Sequence, residues 1–274
     1  MKNKLSLIIA VSVLSCSLVS AQNDNILKDW SIGFNYGMTQ FDGDVRQYDY
    51  ASSEQIGLNY QDSEFKELRS ALSFSLEKKI DENLSLSIEN ISGEFAGLRR
   101  PNEYLGLTVY DPYEIAEGYL NIGYGDKFVT SFNETDVLLN YNVGSIRFLK
   151  KEIPENISII VKMGFGYNVF RSLRTNLYTD DYVYSYGYDD LTKNESDDPV
   201  SESVFVAGAK LKYEFQKGMS LLLDYTVRVS NSDKWDSSIM EGGQGKDRFS
   251  FLSLGLAYDL VEINKTKEII KAKD

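Results

Sequence analysis

The sequence contains no histidine and only one cysteine, Cys16, among 274 residues. Without histidine, neither a histidine-based catalytic triad nor a histidine metal site can form. A single cysteine cannot close a disulfide within the chain. Basic residues are also scarce, with 29 Lys and Arg against 41 Asp and Glu and a net charge of -12. Because nucleic-acid phosphates require a basic face, we expect no nucleic-acid partner.

Residues 1–21 have the pattern of a secretory signal peptide, with a positive start, an apolar run over 5–14 and small residues at 19–21. The apolar run is too short to cross a bilayer as a helix. Cleavage after residue 21 removes Cys16. The alternative is a lipoprotein signal over 13–16, in which Cys16 carries the lipid, and the sequence leaves this choice open. With either signal the mature chain has no disulfide and no thiol catalyst.

The dominant pattern after residue 29 is alternation of bulky apolar side chains with small or polar ones. In a β-strand, alternate side chains point to opposite faces of the sheet. The stretch 157–169 is a clear case, since isoleucine, valine, methionine, phenylalanine and tyrosine occupy its odd positions. Eight such segments predict eight strands, which begin near residues 30, 72, 84, 137, 157, 205, 219 and 252.

The connections between these segments alternate between short and long. An outer-membrane barrel has this asymmetry, with tight periplasmic turns, long external loops and an even number of strands. We therefore predict an all-β, eight-stranded antiparallel up-and-down transmembrane barrel over 22–260, with both termini periplasmic and a short periplasmic tail at 261–274. The short connections are 78–83, 149–156 and 216–218, and the four long external loops are 43–66, 97–132, 174–200 and 231–247.

A soluble barrel that encloses a ligand would show similar alternation, with its apolar face inward. Two features favour lipid outside instead: the small-or-polar face is rich in glycine, which suits a narrow interior, and the bulky face is almost free of charge. An eight-stranded barrel is just wide enough for side chains to fill. We therefore predict a lumen plugged by an ion-paired network, with a narrow ion or solute path as the alternative. The predicted network comprises Glu77, Glu89, Lys162, Lys210, Lys212, Asp224 and Arg228.

The loop 174–200 is rich in tyrosine and acidic residues. Tyrosine is a rigid, amphipathic contact residue, so this loop is a candidate surface for protein or glycan. The alternative is that it only solvates the outer surface, or holds divalent ions loosely near lipopolysaccharide phosphates. The candidate contact residues are Tyr178, Tyr182, Tyr184, Tyr186, Tyr188, Asp189 and Asp190.

We expect no catalytic, cofactor or metal site. Carboxylate pairs alone can catalyse hydrolysis, but no pair here has a distinctive spacing. The stretches 41–44 and 241–243 superficially suggest calcium loops, but neither continues with the ligand spacing of such a site. Both are predicted to be turns.

Three segments resemble the outer-membrane β-barrel family common in bacteria with type IX secretion: WSIGFNYGMTQFDGDVRQYD at 30–49, GEFAGLRR at 93–100 and FNETDVLLN at 132–140. Relatives in that family include membrane halves of outer-membrane protein A-type proteins, whose separate C-terminal domain binds peptidoglycan. Residues 261–274 are too few for such a domain, so cell-wall anchoring is not expected. Other members are accessory subunits of secretion and barrel-assembly complexes.

The sequence thus favours a non-enzymatic barrel in the outer membrane, in contact with its lipid and lipopolysaccharide. The resemblance implies a structural or accessory subunit with protein partners in that membrane. The alternative function is a narrow conducting barrel.

Overall fold

The computed structural model describes residues 28–43, 45, 65–99, 126–145, 153–154, 156–177, 179–188, 198–237 and 246–260. The predicted signal peptide and tail, the 241–243 turn, Tyr178, Asp189 and Asp190 lie outside the described residues. Nine strands are present in this part of the chain: β1 (Trp30–Asp42), β2 (Arg69–Lys79), β3 (Leu84–Arg99), β4 (Asp126–Asn142), β5 (Ile157–Asn176), β6 (Tyr182–Tyr186), β7 (Val200–Gln216), β8 (Met219–Ser230) and β9 (Arg248–Asp259). A single 3₁₀ turn, Val143–Ser145, follows β4. No helix within the described ranges is long and apolar enough to cross a membrane.

Eight of the strands close into an antiparallel barrel. The pairing runs from β4 through β3, β2, β1, β9, β8 and β7 to β5, and β5 pairs with β4 to complete the ring. The predicted eight-stranded up-and-down barrel is therefore confirmed, with β6 as one additional strand. Because the ring is closed, the eight strands leave no free sheet edge along the barrel wall.

The register of the pairing fixes the tilt of the strands. Directly paired residues lead from Ile32 once around the barrel and return to β1 at Asp42, ten residues beyond the start. For eight strands with ordinary spacing, a stagger of ten residues corresponds to a tilt of about 40° from the barrel axis. The intermediate residues of this path are Leu76, Ile88, Val137, Phe165, Phe205, Val229 and Arg248.

The alternation in the sequence corresponds to the two faces of the barrel wall. In β1, Phe34, Tyr36 and Met38 are exposed on the outside, whereas Asn35 and Gly37 are buried inside. Glycine is required at position 37 because a Cβ there would overlap the carbonyl oxygen of Leu252 on β9. The bulky residues therefore face outward and the small ones face a crowded interior, as the sequence predicts.

Four strands on one side rise beyond the rest of the barrel at the end with the long loops. β3, β4 and β5 extend further than the apolar alternation indicated, and β6 pairs with the end of β5 through Ser172–Thr175. The predicted strands are too short at this end, because the outward residues of the extensions are no longer uniformly apolar. Their inward residues, such as Phe95 and Phe128, carry the alternation instead.

Candidate functional site: the outer wall, the lumen and the mouth

The outer wall carries a continuous belt of exposed apolar side chains. Phe165 is 72% exposed and Leu254 is 68% exposed, although both are large hydrophobic residues. Soluble monomers seldom expose an apolar patch of more than a few hundred Å². All eight barrel strands contribute to this belt, for example through Phe34, Leu72, Ile88, Val137, Met163, Leu211, Leu223 and Leu252.

The height and edges of the belt match the hydrocarbon layer of an outer membrane. The outward apolar residues of β8 run from Met219 to Val229, a rise of about 25 Å at a tilt of about 40°. Aromatic residues mark the edge at the short-turn end, where Lys78 Nζ lies 5.4 Å from the centroid of the Trp30 ring. The other outward aromatic residues near this edge are Tyr141, Tyr213 and Tyr258.

The lumen is crossed by an ion pair between opposite walls. Lys210 on β7 donates a hydrogen bond to Glu77 on β2 over 3.0 Å. Three strands separate β7 from β2 on either path around the ring, so this pair spans the full diameter. Ser85 donates a further hydrogen bond to Glu77 over 2.7 Å.

A second ion-paired group occupies the middle of the lumen. Lys162 Nζ lies 2.6 Å from Asp224 Oδ2 and 3.1 Å from Glu89 Oε2. Arg228 donates through Nε to Glu134 over 2.7 Å and through Nη2 to Asp136 over 3.3 Å. The structure thus brings together six of the seven charges predicted for the lumen. The seventh, Lys212, is 3.7 Å from Asp259 near the short-turn end, with 27% of its side chain exposed.

Sequence reasoning missed Glu134 and Asp136, although both are fully buried and bind the same guanidinium group. The sequence signal was available, because both continue the inward alternation of Leu138 and Asn140 towards the start of β4. The predicted strand began at residue 137 and so excluded them.

Aromatic side chains pack together at the long-loop end of the lumen. Phe95 on β3 lies 4.8 Å from Phe249 on β9 and 5.5 Å from Trp235 in the loop that follows β8, measured between ring centroids. Trp235 is fully buried. Phe41 and Phe128 belong to the same cluster, with their ring centroids 4.7 Å apart, and Phe132 packs against Phe249 at 4.9 Å.

The loop after β8 crosses the mouth of the barrel to the opposite wall. The carbonyl oxygen of Trp235 accepts hydrogen bonds from Thr130 over 2.5 Å and from Ser172 over 2.8 Å. The chain after β1 joins it, because the backbone N–H of Val45 donates to Asp236 over 2.9 Å. Two long-loop segments therefore fold into the mouth and meet there.

Three carboxylates, Asp233, Asp236 and Asp247, lie within 4.8 Å of one another at this mouth. The two buried members bind backbone groups: Asp236 accepts from Val45, and Asp247 accepts from the N–H of Trp235 over 2.6 Å. These bonds give the cluster a structural role in fixing the two loop segments.

The tyrosines predicted as loop contacts are half-buried where they are described. Tyr182, Tyr184 and Tyr186 lie on β6, and Tyr188 follows it. Tyr186 packs against Phe170, with ring centroids 6.5 Å apart, and against Tyr184 at 5.3 Å. Burial, reinforced by the neighbouring Tyr184, raises the pKa of the Tyr186 phenol. Tyr186 therefore contributes to the core of the mouth, and a contact role for the other tyrosines stays a prediction.

The short-turn end contains an open polar cavity of about 480 Å³. Its lining mixes both charges and includes Glu77, Lys79, Glu82, Lys212, Glu214 and Asp259. The Lys210–Glu77 pair lies at the inner limit of this cavity, since Glu77 belongs to both. The cavity therefore extends from the short-turn end to Glu77 of that pair.

The fold is similar to that of several solved outer-membrane barrels. Neisserial surface protein A shares 8% identity and a TM-score of 0.41, with coverage of 85% of this chain and 97% of that one. A major outer membrane protein from Thermus thermophilus shares 15% identity and a TM-score of 0.39, with 84% and 98% coverage. The N-terminal β-barrel domain of OprF from Pseudomonas aeruginosa has 10% identity and a TM-score of 0.36, with coverage of 83% of this chain and 97% of that one.

These likenesses are too distant to support an inference about activity or partners. No protein-family model matches the chain, and no curated protein matches it.

Proposed function

We propose that the protein is an integral outer-membrane barrel with a closed lumen, and that it serves as a non-enzymatic structural or accessory subunit. The observation that carries the membrane location is the apolar belt, about 25 Å tall, to which all eight barrel strands contribute. Hydrocarbon is the solvent that such a surface fits, because a closed barrel leaves no backbone group of its wall unpaired.

Closure of the lumen is supported at two levels. The Lys210–Glu77 pair spans the diameter above the short-turn cavity. The aromatic cluster around Phe95 and Trp235, covered by the loop that crosses the mouth, supports closure at the other end. An interior filled in this way does not favour diffusion of solutes.

A barrel with a closed interior acts through its outer surfaces. The taller side formed by β3, β4, β5 and β6 and the long loops are the surfaces we assign to contact with protein partners, and the belt contacts lipid. Lipopolysaccharide would surround the long-loop end. In this arrangement both termini lie in the periplasm, as the even strand count requires for a barrel with external long loops.

Conductance of the purified mature protein in planar bilayers tests the closed lumen. We expect no steady open channel. The double variant Lys210→Ala/Glu77→Ala provides a comparison, because it removes both members of the diametric pair and so leaves neither charge without its partner. Steady channels from the unmodified protein would favour the narrow conducting barrel instead.

The partner role needs a separate experiment. When the barrel is purified from the native membrane in mild detergent through a tag at its C-terminus, a second outer-membrane protein should co-purify with it in a stoichiometric amount. Recovery of the barrel alone, at several detergent strengths and after cross-linking in the membrane, would contradict the subunit proposal.

A further inference from the structure

The ion-paired group in the middle of the lumen has an excess of negative charge. It contains four carboxylates, from Glu89, Glu134, Asp136 and Asp224, but only two cationic groups, from Lys162 and Arg228. The neighbouring Lys210 does not remove the imbalance, because it pairs with Glu77. If every group were ionised, two carboxylate charges would be uncompensated.

These carboxylates are almost completely isolated from solvent. Glu134 and Asp136 have 0% side-chain exposure, and Glu89 and Asp224 have 5%. An isolated ionised carboxylate in such surroundings is strongly unfavourable, and a buried carboxyl group commonly remains protonated instead.

The geometry places the excess charge on Glu134 and Asp136. Both carboxylates bind the guanidinium group of Arg228, and that group also lies 4.0 Å from Glu89. Glu89, by contrast, lies between two cations, with Lys162 at 3.1 Å. Asp224 Oδ2 lies 2.6 Å from the same Lys162 Nζ, which it shares with Glu89. The single positive charge of Arg228 therefore lies near three carboxylates, and two of them, Glu134 and Asp136, have no other cation in contact.

The polar neighbours of the pair leave room for a proton. Asn168 donates its amide to Glu134 Oε2 over 2.9 Å, and Arg228 occupies Glu134 Oε1. The second oxygen of Asp136, Oδ1, is buried and has no hydrogen-bond partner among the described residues. Of the four oxygens of the pair, Asp136 Oδ1 is therefore the one to which no described group donates, and it is the atom at which a proton can be held.

We propose that Glu134 and Asp136 form a proton-binding site in the lumen and share one proton at neutral pH, which lowers the excess of the group from two negative charges to one. Like charges held by a single guanidinium titrate as a unit, so the proton belongs to the pair and to neither residue alone. The groups that face the pair are Arg228 from β8, Glu89 from β3, and Lys162 and Asn168 from β5. This inference concerns the interior and is independent of any partner.

Two measurements on the folded mature protein in detergent test the proposal. Infrared spectroscopy at neutral pH should show the carbonyl stretch of a protonated carboxyl group, and Glu134→Gln/Asp136→Asn should remove it. Equilibrium unfolding in urea should show that the folding equilibrium constant falls as the pH rises, by about tenfold per pH unit over part of the range above pH 5. The reason is that the folded protein keeps the shared proton, whereas unfolding releases it.

Neutral isosteres at single positions distinguish a shared proton from an ordinary ion pair. Asp136→Asn should change the folding equilibrium constant at pH 7 only a few-fold and should flatten its pH dependence. The control Glu89→Gln removes a carboxylate that lies between two cations, so it should lower the constant more than tenfold and keep the pH dependence.

Two outcomes would overturn the proposal. One is a wild-type infrared spectrum without a protonated carboxyl band at neutral pH, which requires no variant to fold. Another is a folding equilibrium that is independent of pH but responds to sodium or potassium concentration, since a metal cation would then supply the charge. Either result leaves the closed lumen and the membrane location unaffected, because conductance tests the first and an arginine substitution in the apolar belt tests the second.

Discussion

Arginine at the middle of the apolar belt tests whether lipid surrounds the barrel. Leu254 on β9 lies midway between the outward residues Tyr258 and Ser250, and it is 68% exposed. Its paired neighbours are Tyr36 and Leu223, which also face outward. If hydrocarbon touches this wall, Leu254→Arg places a cation near the bilayer midplane.

The expected loss of stability is about 2–4 kcal/mol, the cost of arginine at the midplane of a barrel's lipid face. This corresponds to about a thirty- to thousandfold reduction in the folding equilibrium constant. The matched control is Gln40→Arg on β1, which is outward-facing and pairs with Ser250 beyond the apolar belt. Near an interface the same side chain costs only about 0–1 kcal/mol.

Both variants are to be measured by urea-induced unfolding of the mature protein in lipid vesicles, followed by the fluorescence of Trp30 and Trp235. In water, arginine in place of an exposed leucine would be close to neutral, within about 0.5 kcal/mol. Equal stabilities for Leu254→Arg and Gln40→Arg would therefore refute lipid contact at this wall.

Three further predictions concern the interior and use the same unfolding assay. Arg228→Met should lower the free energy of unfolding by about 3–5 kcal/mol, since it leaves Glu134 buried without its cation; a loss below about 1 kcal/mol would mean that solvent reaches the network. Trp235→Ala should cost about 3–5 kcal/mol through the cavity it creates, and in the native protein Trp235 emission should resist quenching by acrylamide; efficient quenching would show an open mouth. Gly164→Ala should cost about 1–3 kcal/mol because its Cβ would overlap a carbonyl oxygen of the neighbouring strand. The control Gly144→Ala should change stability little, because the atom nearest to its Cβ would be 3.2 Å away. Equal effects of the two substitutions would contradict the close approach at position 164.

The wall of the barrel could be predicted because its physical cause repeats every two residues. Phe34, Phe165 and Leu254 each face outward as the alternation indicates, and a closed wall with an apolar outer face repeats this pattern on all eight strands. The lumen was predicted less completely. Lys162, Asp224 and Arg228 stood out because they interrupt apolar segments, but Glu134 and Asp136 lie in a mainly polar stretch where charge gives no contrast.

The mouth could not be predicted from local pattern at all. Trp235 contacts Thr130, which lies 105 residues earlier in the chain, and Asp236 binds Val45, 191 residues earlier. Such contacts depend on the closed ring bringing distant loops together, and no spacing in the sequence records them. The half-burial of Tyr184 and Tyr186 has a more local origin, because β6 pairs with the end of the preceding strand β5.

The crossing of the mouth also bears on when the interior can become organised. Phe41 comes from the first strand, Phe249 from the last, and Trp235 from the loop before it. A growing or partly inserted chain that lacks the final strand cannot assemble this cluster, so its aromatic side chains remain available for misassociation. Closing a loop that includes nearly the whole chain is entropically slow. We therefore expect the pairing of β1 with β9 to be the slowest step of insertion, and the fluorescence of Trp235 should report when it occurs.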